Sequence, residues 1–452
     1  MSPAIAFPRA PVAAREKRAS NYALEGFVVL QMFCQVAILF SEFASFRAVF
    51  RTVSFGVSLF FLVRTLRSRG KPHPARIPAV ASIAILAVSF FHPTTNAFLS
   101  GLAQIGLYVA ILSPVFWVTG DEVPVAQLRR VLLLLWAFHV VSSIFGILQV
   151  YYPGKFQPVL SAVVRSKGHQ YVRDLQIRTA TGERVFRPMG LTDIPGGAAN
   201  SGFYAALFGV ALIMAERSKM LKAACASGIV LGLTAIYLSQ VRAVLIMAAC
   251  CWVGYNAVLL LRKEAARLAG VVAGTAAVVA VSYLGAVSLG GDSVTSRLNT
   301  LVEGDPAAVY YKNRGHFLEQ TVNVLLPEYP FGAGLGRWGM MNFYFGDNSH
   351  PETSSIWVEI QWTGWLLDGG VPLILTYSVA ILITMWLALK IALTRADSIW
   401  QWGAAMLAYD IAALAVTFSY PLFLSQSGLE FWLLNTTFFA AACQPGRKRS
   451  FI

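Results

Sequence analysis

The chain has 452 residues, of which 56% are apolar and only 13% charged, and its mean hydropathy is +0.60. With its long apolar runs, that composition excludes a soluble protein of two or three domains and points to a polytopic membrane protein. A net charge of +14 does not signal nucleic-acid binding here, because the cations cluster between apolar runs rather than forming a binding stripe.

A basic tail, 1–21, comes first. No small-residue processing site follows it, so the first apolar run reads as a retained helix and not a cleaved signal. Taking about 20 apolar residues per spanning helix, twelve crossings are predicted near 22–40, 52–66, 77–92, 97–118, 131–151, 200–216, 220–239, 241–261, 268–289, 370–389, 400–418 and 424–442. The run 220–261 would be roughly 63 Å long as one helix at ~1.5 Å per residue, about twice a bilayer core, so it must break. Ser239-Gln240-Val241-Arg242 is the break.

The expected architecture is an all-α polytopic membrane protein with two large periplasmic loops. Helices 1–5 occupy 22–151, a loop 152–199, helices 6–9 200–289, a second loop 290–369, helices 10–12 370–442 and a C-tail 443–452. Residues 356–369, rich in tryptophan and carrying Glu359 and Asp368, read as an interfacial helix. It hinges at Gly369-Gly370-Val371-Pro372 into the tenth crossing. Five scattered cysteines (Cys34, Cys225, Cys250, Cys251, Cys443) suit neither a disulfide framework nor a metal site and read as packed thiols.

Lysine and arginine set the orientation. The N-tail, the 64–76 loop, Arg129-Arg130, the 217–222 and 262–267 turns, Lys390 with Arg395, and Arg447-Lys448-Arg449 all fall on one side. The alternate short loops hold only Arg47, Arg51 and Arg242. Both termini therefore read as cytoplasmic, which puts the two long loops outside. The first of these is basic, with Lys155, Arg165, Lys167, Arg173, Arg178, Arg184 and Arg187 against Asp174, Glu183 and Asp193. Either an anionic ligand such as a lipid pyrophosphate, or simple proximity to anionic headgroups, accounts for that charge.

Candidate chemistry lies in and beside these loops. Arg242, at the outward turn of a tight helical hairpin, reads as a fixed cation for a phosphate or as a snorkelling interface arginine. Arg314, ahead of an expected amphipathic helix from Phe317 to Leu326, suits a phosphate or a sugar carboxylate, or is a surface arginine. Gly334-x-Gly336-x-x-Gly339 matches the dinucleotide fingerprint literally, but no βαβ unit surrounds it. Its glycines instead let the backbone turn and approach a ligand or a helix closely. His350 is of the residue type most often used as a general base, and no partner ligands at metal spacing accompany it. Glu25, His139, Asp410 and Glu430, inside or near crossings, read as satisfied interhelical hydrogen-bonding groups.

These residues in this order resemble the bacterial O-antigen ligase and O-antigen polymerase superfamily, integral membrane glycosyltransferases of the GT-C type. The resemblance spans about 185–390. It rests on Ser239 to Arg242, on Asn313-Arg314, on Pro330-Phe331-Gly332-Ala333-Gly334-Leu335-Gly336, on His350 through Gly370, and on Arg187-Pro188-Met189-Gly190 leading to Asn200. Two departures are Pro351 after His350, where the family has asparagine, and the lack of a proline before Asn200.

The resemblance implies transfer of a glycan from undecaprenyl pyrophosphate to a hydroxyl of an acceptor glycan at the periplasmic face of a bacterial inner membrane, with inversion and without metal, cofactor or nucleic acid. It implies that Arg187, Arg242 and Arg314 hold the pyrophosphate, that Gly334 and Gly336 line the site, and that His350 acts on the acceptor hydroxyl. A polysaccharide polymerase is the expected activity, with chain-length regulator or flippase proteins as candidate partners. The alternatives are an O-antigen ligase acting on lipid A core and, from another class, a transporter or flippase of lipid-linked glycans.

Overall fold

The computed structural model describes residues 22–443 except 66–70, 121–122, 153, 162–163, 166–167, 217 and 303–304. The N-tail and, beyond Cys443, the C-tail lie outside the described residues, as do the topogenic Arg67, Arg69 and Arg217.

A helix occupies each of the twelve predicted segments. In chain order they are α1 (Ala23–Ala37), α2 (Arg47–Thr65), α3 (Arg76–Ser89), α4 (Phe98–Gly120) and α5 (Val125–Tyr151). After a loop holding the short helix α6 (His169–Asp174) come α7 (Gly197–Ala215), α8 (Lys219–Ser239), α9 (Arg242–Leu261) and α10 (Ala265–Gly290). The second loop carries α11 (Asp292–Val302), the composite helix α12 (306–328) and α13 (Gly339–Phe345). The chain then returns through α14 (Gln361–Thr394), α15 (Ile399–Val416) and α16 (Gln426–Ala442).

Among the described residues nine of these helices are long and apolar enough to cross a membrane. The shorter α1, α3 and α16 have 15, 14 and 17 residues, roughly 21–26 Å at ~1.5 Å per residue. Among the described residues none of the five cysteines is joined in a disulfide.

The contacts between segments divide between two ends of the bundle. At one end Arg130 pairs with Glu25 at 2.7 Å, Arg129 with Glu216, and Arg262 donates to the Ala392 carbonyl at 2.6 Å. At the other end the second long loop meets the α3–α4 turn, the α8–α9 turn and the α15–α16 turn, and the first long loop joins it where Ser293 donates to the Arg178 carbonyl. Small residues bring α7 and α8 close together. A Cβ at Gly202 would lie 2.2 Å from the Gly232 carbonyl oxygen, and one at Gly232 would lie 2.6 Å from that of Gly202. Such backbone proximity is how helices associate where apolar burial gives no preference between protein and lipid. It fixes the start of α7 against the end of α8, where the first candidate residues lie.

Three expectations change. The 356–369 segment is not an interfacial helix over its whole length. Residues 354–360 are irregular, the helix starts at Gln361, and Thr363 to Gly370 are buried within the protein. Asp368 makes this possible, because its two carboxylate oxygens accept from Gln104 Nε2 (2.9 Å), Tyr108 Oη (2.7 Å) and Trp338 Nε1 (2.9 Å). With those donors the carboxylate needs no interfacial water. The hinge is present, at Gly370 (φ 65°, ψ −159°), where a Cβ would lie 2.2 Å from the Pro330 carbonyl oxygen.

The expected helix from Phe317 to Leu326 is longer, beginning at Pro306 with Asp305 capping the Ala307 amide (3.0 Å). It is interrupted by two π-helical stretches, Tyr311–Gly315 and Thr321–Leu325.

The third change concerns the intramembrane polar groups. Glu25 is satisfied by Gln127 and Arg130, as expected. His139 stacks on the Tyr204 ring (4.8 Å between centroids) with no protein partner for either ring nitrogen, and Asp410 has a partner, Asn435, for only one oxygen.

Candidate functional site

The break after α8 forms as the sequence indicated. Ser239 ends the helix with its hydroxyl returned to the Ala235 carbonyl (2.6 Å), and Gln240 takes a left-handed conformation (φ 56°, ψ 28°). Val241 is extended, and Arg242 opens α9. The Gln240 side chain donates to Ser293 Oγ (2.9 Å) at the start of α11. Ser293 in turn donates to the Arg178 carbonyl (2.7 Å) in a two-stranded hairpin of β1 (Gln176–Arg178) and β2 (Arg184–Phe186). Three remote segments are thus joined at one turn.

Arg187 follows that hairpin. Its amide donates to the Leu175 carbonyl (2.9 Å) and its guanidinium to the Asp174 carbonyl (3.2 Å), while its buried Nε has no protein partner. Gln149 on α5 locks the backbone immediately beyond. Its Oε1 accepts from the Met189 and Gly190 amides (2.8 and 3.0 Å) and its Nε2 donates to the Gly190 carbonyl (2.9 Å). Gly190, with φ 62°, leaves no room for a side chain, since a Cβ would lie 2.6 Å from Ser142 Oγ.

A third arginine, Arg297 on α11, reaches the same place, with its Nε donating to the Gln240 carbonyl (3.4 Å). Burial first, and then the charges of Arg242 and Arg187, lower its pKa to about 10. Burial and then Arg242 lower that of Arg187 as well. Like charges held together out of water disfavour their own charged forms, an effect that the charge of Asp174 opposes at Arg187. The first turn of α9 adds the positive end of a helix dipole to the same potential.

Arg314 lies in the first π-helical stretch of α12, a distortion frequent at functional positions. It pairs with Glu359 at 2.9 Å, and its Nε donates to the Ser419 carbonyl (3.1 Å), so it is a partnered cation. Tyr171 on α6 connects the two groups. Burial first and Glu359 second raise its phenol above the ordinary range, and Arg314 and Arg187 oppose that rise. Arg187, Arg242 and Arg297 thus act on one another electrostatically, and Tyr171 lies in the fields of both Arg187 and the Arg314–Glu359 pair.

Among the described residues, the contacts of His350, Gly334 and Gly336 are with other parts of the chain. His350 is exposed, on a loop clamped by Asn96 of the α3–α4 turn. Asn96 Nδ2 donates to the Asp347 and Thr353 carbonyls (2.6 Å each), and its Oδ1 accepts from the Asp347 amide (2.7 Å). The imidazole stands beside Asp347, whose carboxyl is held below its usual range first by the Ser349 backbone and side chain and then by His350.

Gly334 and Gly336 are buried and face protein, a correction to their expected place in a ligand site. A Cβ on Gly334 (φ 82°) would lie 2.5 Å from the Thr95 amide, and one on Gly336 (φ 70°) 2.2 Å from Ser100 Oγ. The close approach these glycines permit is to the turn that begins α4. Arg337, also buried, donates to the Ala333 and Ser354 carbonyls (3.2 Å each) and holds the glycine loop against the chain leading to Glu359.

A groove of about 500 Å³ along α12, lined by Tyr310, Tyr311, Gly315, Leu318, Glu319 and Val322 among others, includes none of the arginines. Sequence reasoning missed Arg297 because a lone arginine in a polar helix has the pattern of a solvated face. Its one available signal was position, just beyond the ninth crossing at the end where Arg242 also turns.

No protein-family model matches the chain, and no curated protein matches it.

Proposed function

We propose that the chain is a membrane glycosyltransferase with twelve crossings in a GT-C-like arrangement. It would take a glycan from undecaprenyl pyrophosphate at the periplasmic face and pass it to the hydroxyl of an acceptor lipid-linked repeat unit, extending a polysaccharide. The observation that carries this reading is the gathering of Arg187, Arg242 and Arg297 from three separate segments joined through Gln240, Ser293 and the Arg178 carbonyl, where burial and then neighbouring arginine charge lower the pKa of Arg187 and Arg297. A ligand with more than one negative charge reverses that shift, and a pyrophosphate offers guanidinium groups several bidentate contacts. As the glycosidic bond breaks, charge grows on the leaving pyrophosphate, and cations already aimed there stabilise the transition state more than the ground state. Attack by the acceptor oxygen from the opposite face of the sugar inverts the anomeric carbon.

The test is transfer from a lipid-linked repeat unit in vesicles containing the purified protein. Arg242→Ala and Arg187→Ala are expected to insert normally and to lose product, and wild-type product from both would refute the reading. Longer glycans on the lipid carrier indicate a polymerase, whereas product on lipid A core indicates a ligase. A second reading, transport of a lipid-linked glycan, is favoured by one feature: His139 and Asp410 have unpartnered polar atoms inside the bundle, where transporters keep functional groups. Movement of the intact donor across the vesicle bilayer without transfer would select it.

A further inference from the structure

We infer that Glu359 is the general base that takes the proton from the acceptor hydroxyl, a role that rests on the glycosyl-transfer reading above. Glu359 is the carboxylate paired with an arginine of the candidate site, Oε2 lying 2.9 Å from Arg314, and its side chain is 18% exposed, accessible without being free in solvent. Its charge also reaches Tyr171, which lies in the field of Arg187. The rival carboxylate, Asp174, whose charge acts on Arg187 and whose carbonyl accepts from that guanidinium, is exposed and accepts from Gln170 (3.1 Å). His350 stands in a separate cluster with Asp347 and Asn96.

The backbone around Glu359 is fixed on both sides. The Ile356 amide donates to the Arg337 carbonyl (2.7 Å), Ile360 is fully buried, and the Gln361 amide donates to the Thr417 carbonyl (3.0 Å). Gln361 Oε1 accepts from the Phe423 amide (2.8 Å). A base must be held this firmly to sit within reach of the proton it abstracts.

The Arg314 pair gives the base a trigger. An incoming pyrophosphate competes for the guanidinium, and Glu359 is left with an open carboxylate beside the bound donor. The acceptor oxygen then forms its bond to the anomeric carbon while its proton moves to Glu359. The bond from that carbon to the pyrophosphate oxygen breaks, and the electron pair leaves on undecaprenyl pyrophosphate. Glu359 afterwards returns the proton to water.

The experiment measures two quantities for Glu359→Gln in lipid nanodiscs: transfer from the glycan-linked donor, and binding of undecaprenyl pyrophosphate alone. The expected result is a fall in kcat of about 100-fold or more, larger than that of His350→Ala, together with carrier binding as tight as wild type or tighter because Arg314 has lost its competitor. Loss of binding together with transfer would make Glu359 a structural partner of Arg314 and overturn the inference. Turnover within threefold of wild type would overturn it too, with the glycosyl-transfer reading intact. Absence of transfer in the wild-type protein would remove that reading and this inference with it.

Discussion

Two regions at the same end of the bundle are built on opposite principles. Around the glycine loop and His350 the backbone is satisfied almost group by group, with Asn96 serving the Asp347 and Thr353 backbone and Thr94 and Thr95 serving Ala333 and Leu335. Around Arg187, Arg242 and Arg297 like charges are drawn together and partly buried, with the Nε of Arg187 unpartnered. The first region is complete as it stands, whereas the second is the one that the proposed pyrophosphate donor would complete. Satisfied hydrogen bonding marks scaffold, and unfavourable charge held in place marks a site.

Substitutions can break or sharpen that contrast. Arg242→Ala should have the largest effect, lowering transfer by about 1,000-fold in the vesicle assay. Thermal stability should not fall, because one of three mutually repelling charges has gone. Gly334→Val should do the reverse of this, lowering stability by about 3 kcal/mol. A positive φ and the Thr94–Thr95 backbone both forbid the side chain, and thermal unfolding in detergent would show it. Asn96→Ala removes the clamp on the His350 loop at about 2 kcal/mol. Hydrogen exchange over 346–353 should accelerate about 30-fold with little change in the arginine region. His350→Ala should have the smallest effect, with transfer reduced about tenfold or less, because the imidazole lies with the scaffold.

Much of the fold was legible because apolar runs and turn residues are local signals. The twelve helical segments, the Ser239–Arg242 break and the Gly370 hinge each follow from a few adjacent residues. The partners of those residues were not legible. Nothing near Asp368 announces Gln104, Tyr108 and Trp338, three remote donors that bury a carboxylate which sequence alone places at the interface. Close approach of the backbone follows from the glycines themselves, but only the fold shows that the approach is to the turn beginning α4 and not to a ligand. Arg187 and Arg242 could be proposed from their places in the loops. Arg297 and Glu359 could not, since the first resembles a solvated residue and the second a helix-surface charge until α11 and α12 bring them in.

Binding of undecaprenyl pyrophosphate to the protein in lipid nanodiscs tests the arginine site most directly, with wild type compared with Arg187→Ala, Arg242→Ala and Arg297→Ala at low and high salt. Saturable binding that weakens by about tenfold or more in each variant, and with salt in the wild type, is the expected result. Equal affinity in all four proteins, or no saturable binding to the wild type, would contradict a pyrophosphate site built from these three residues.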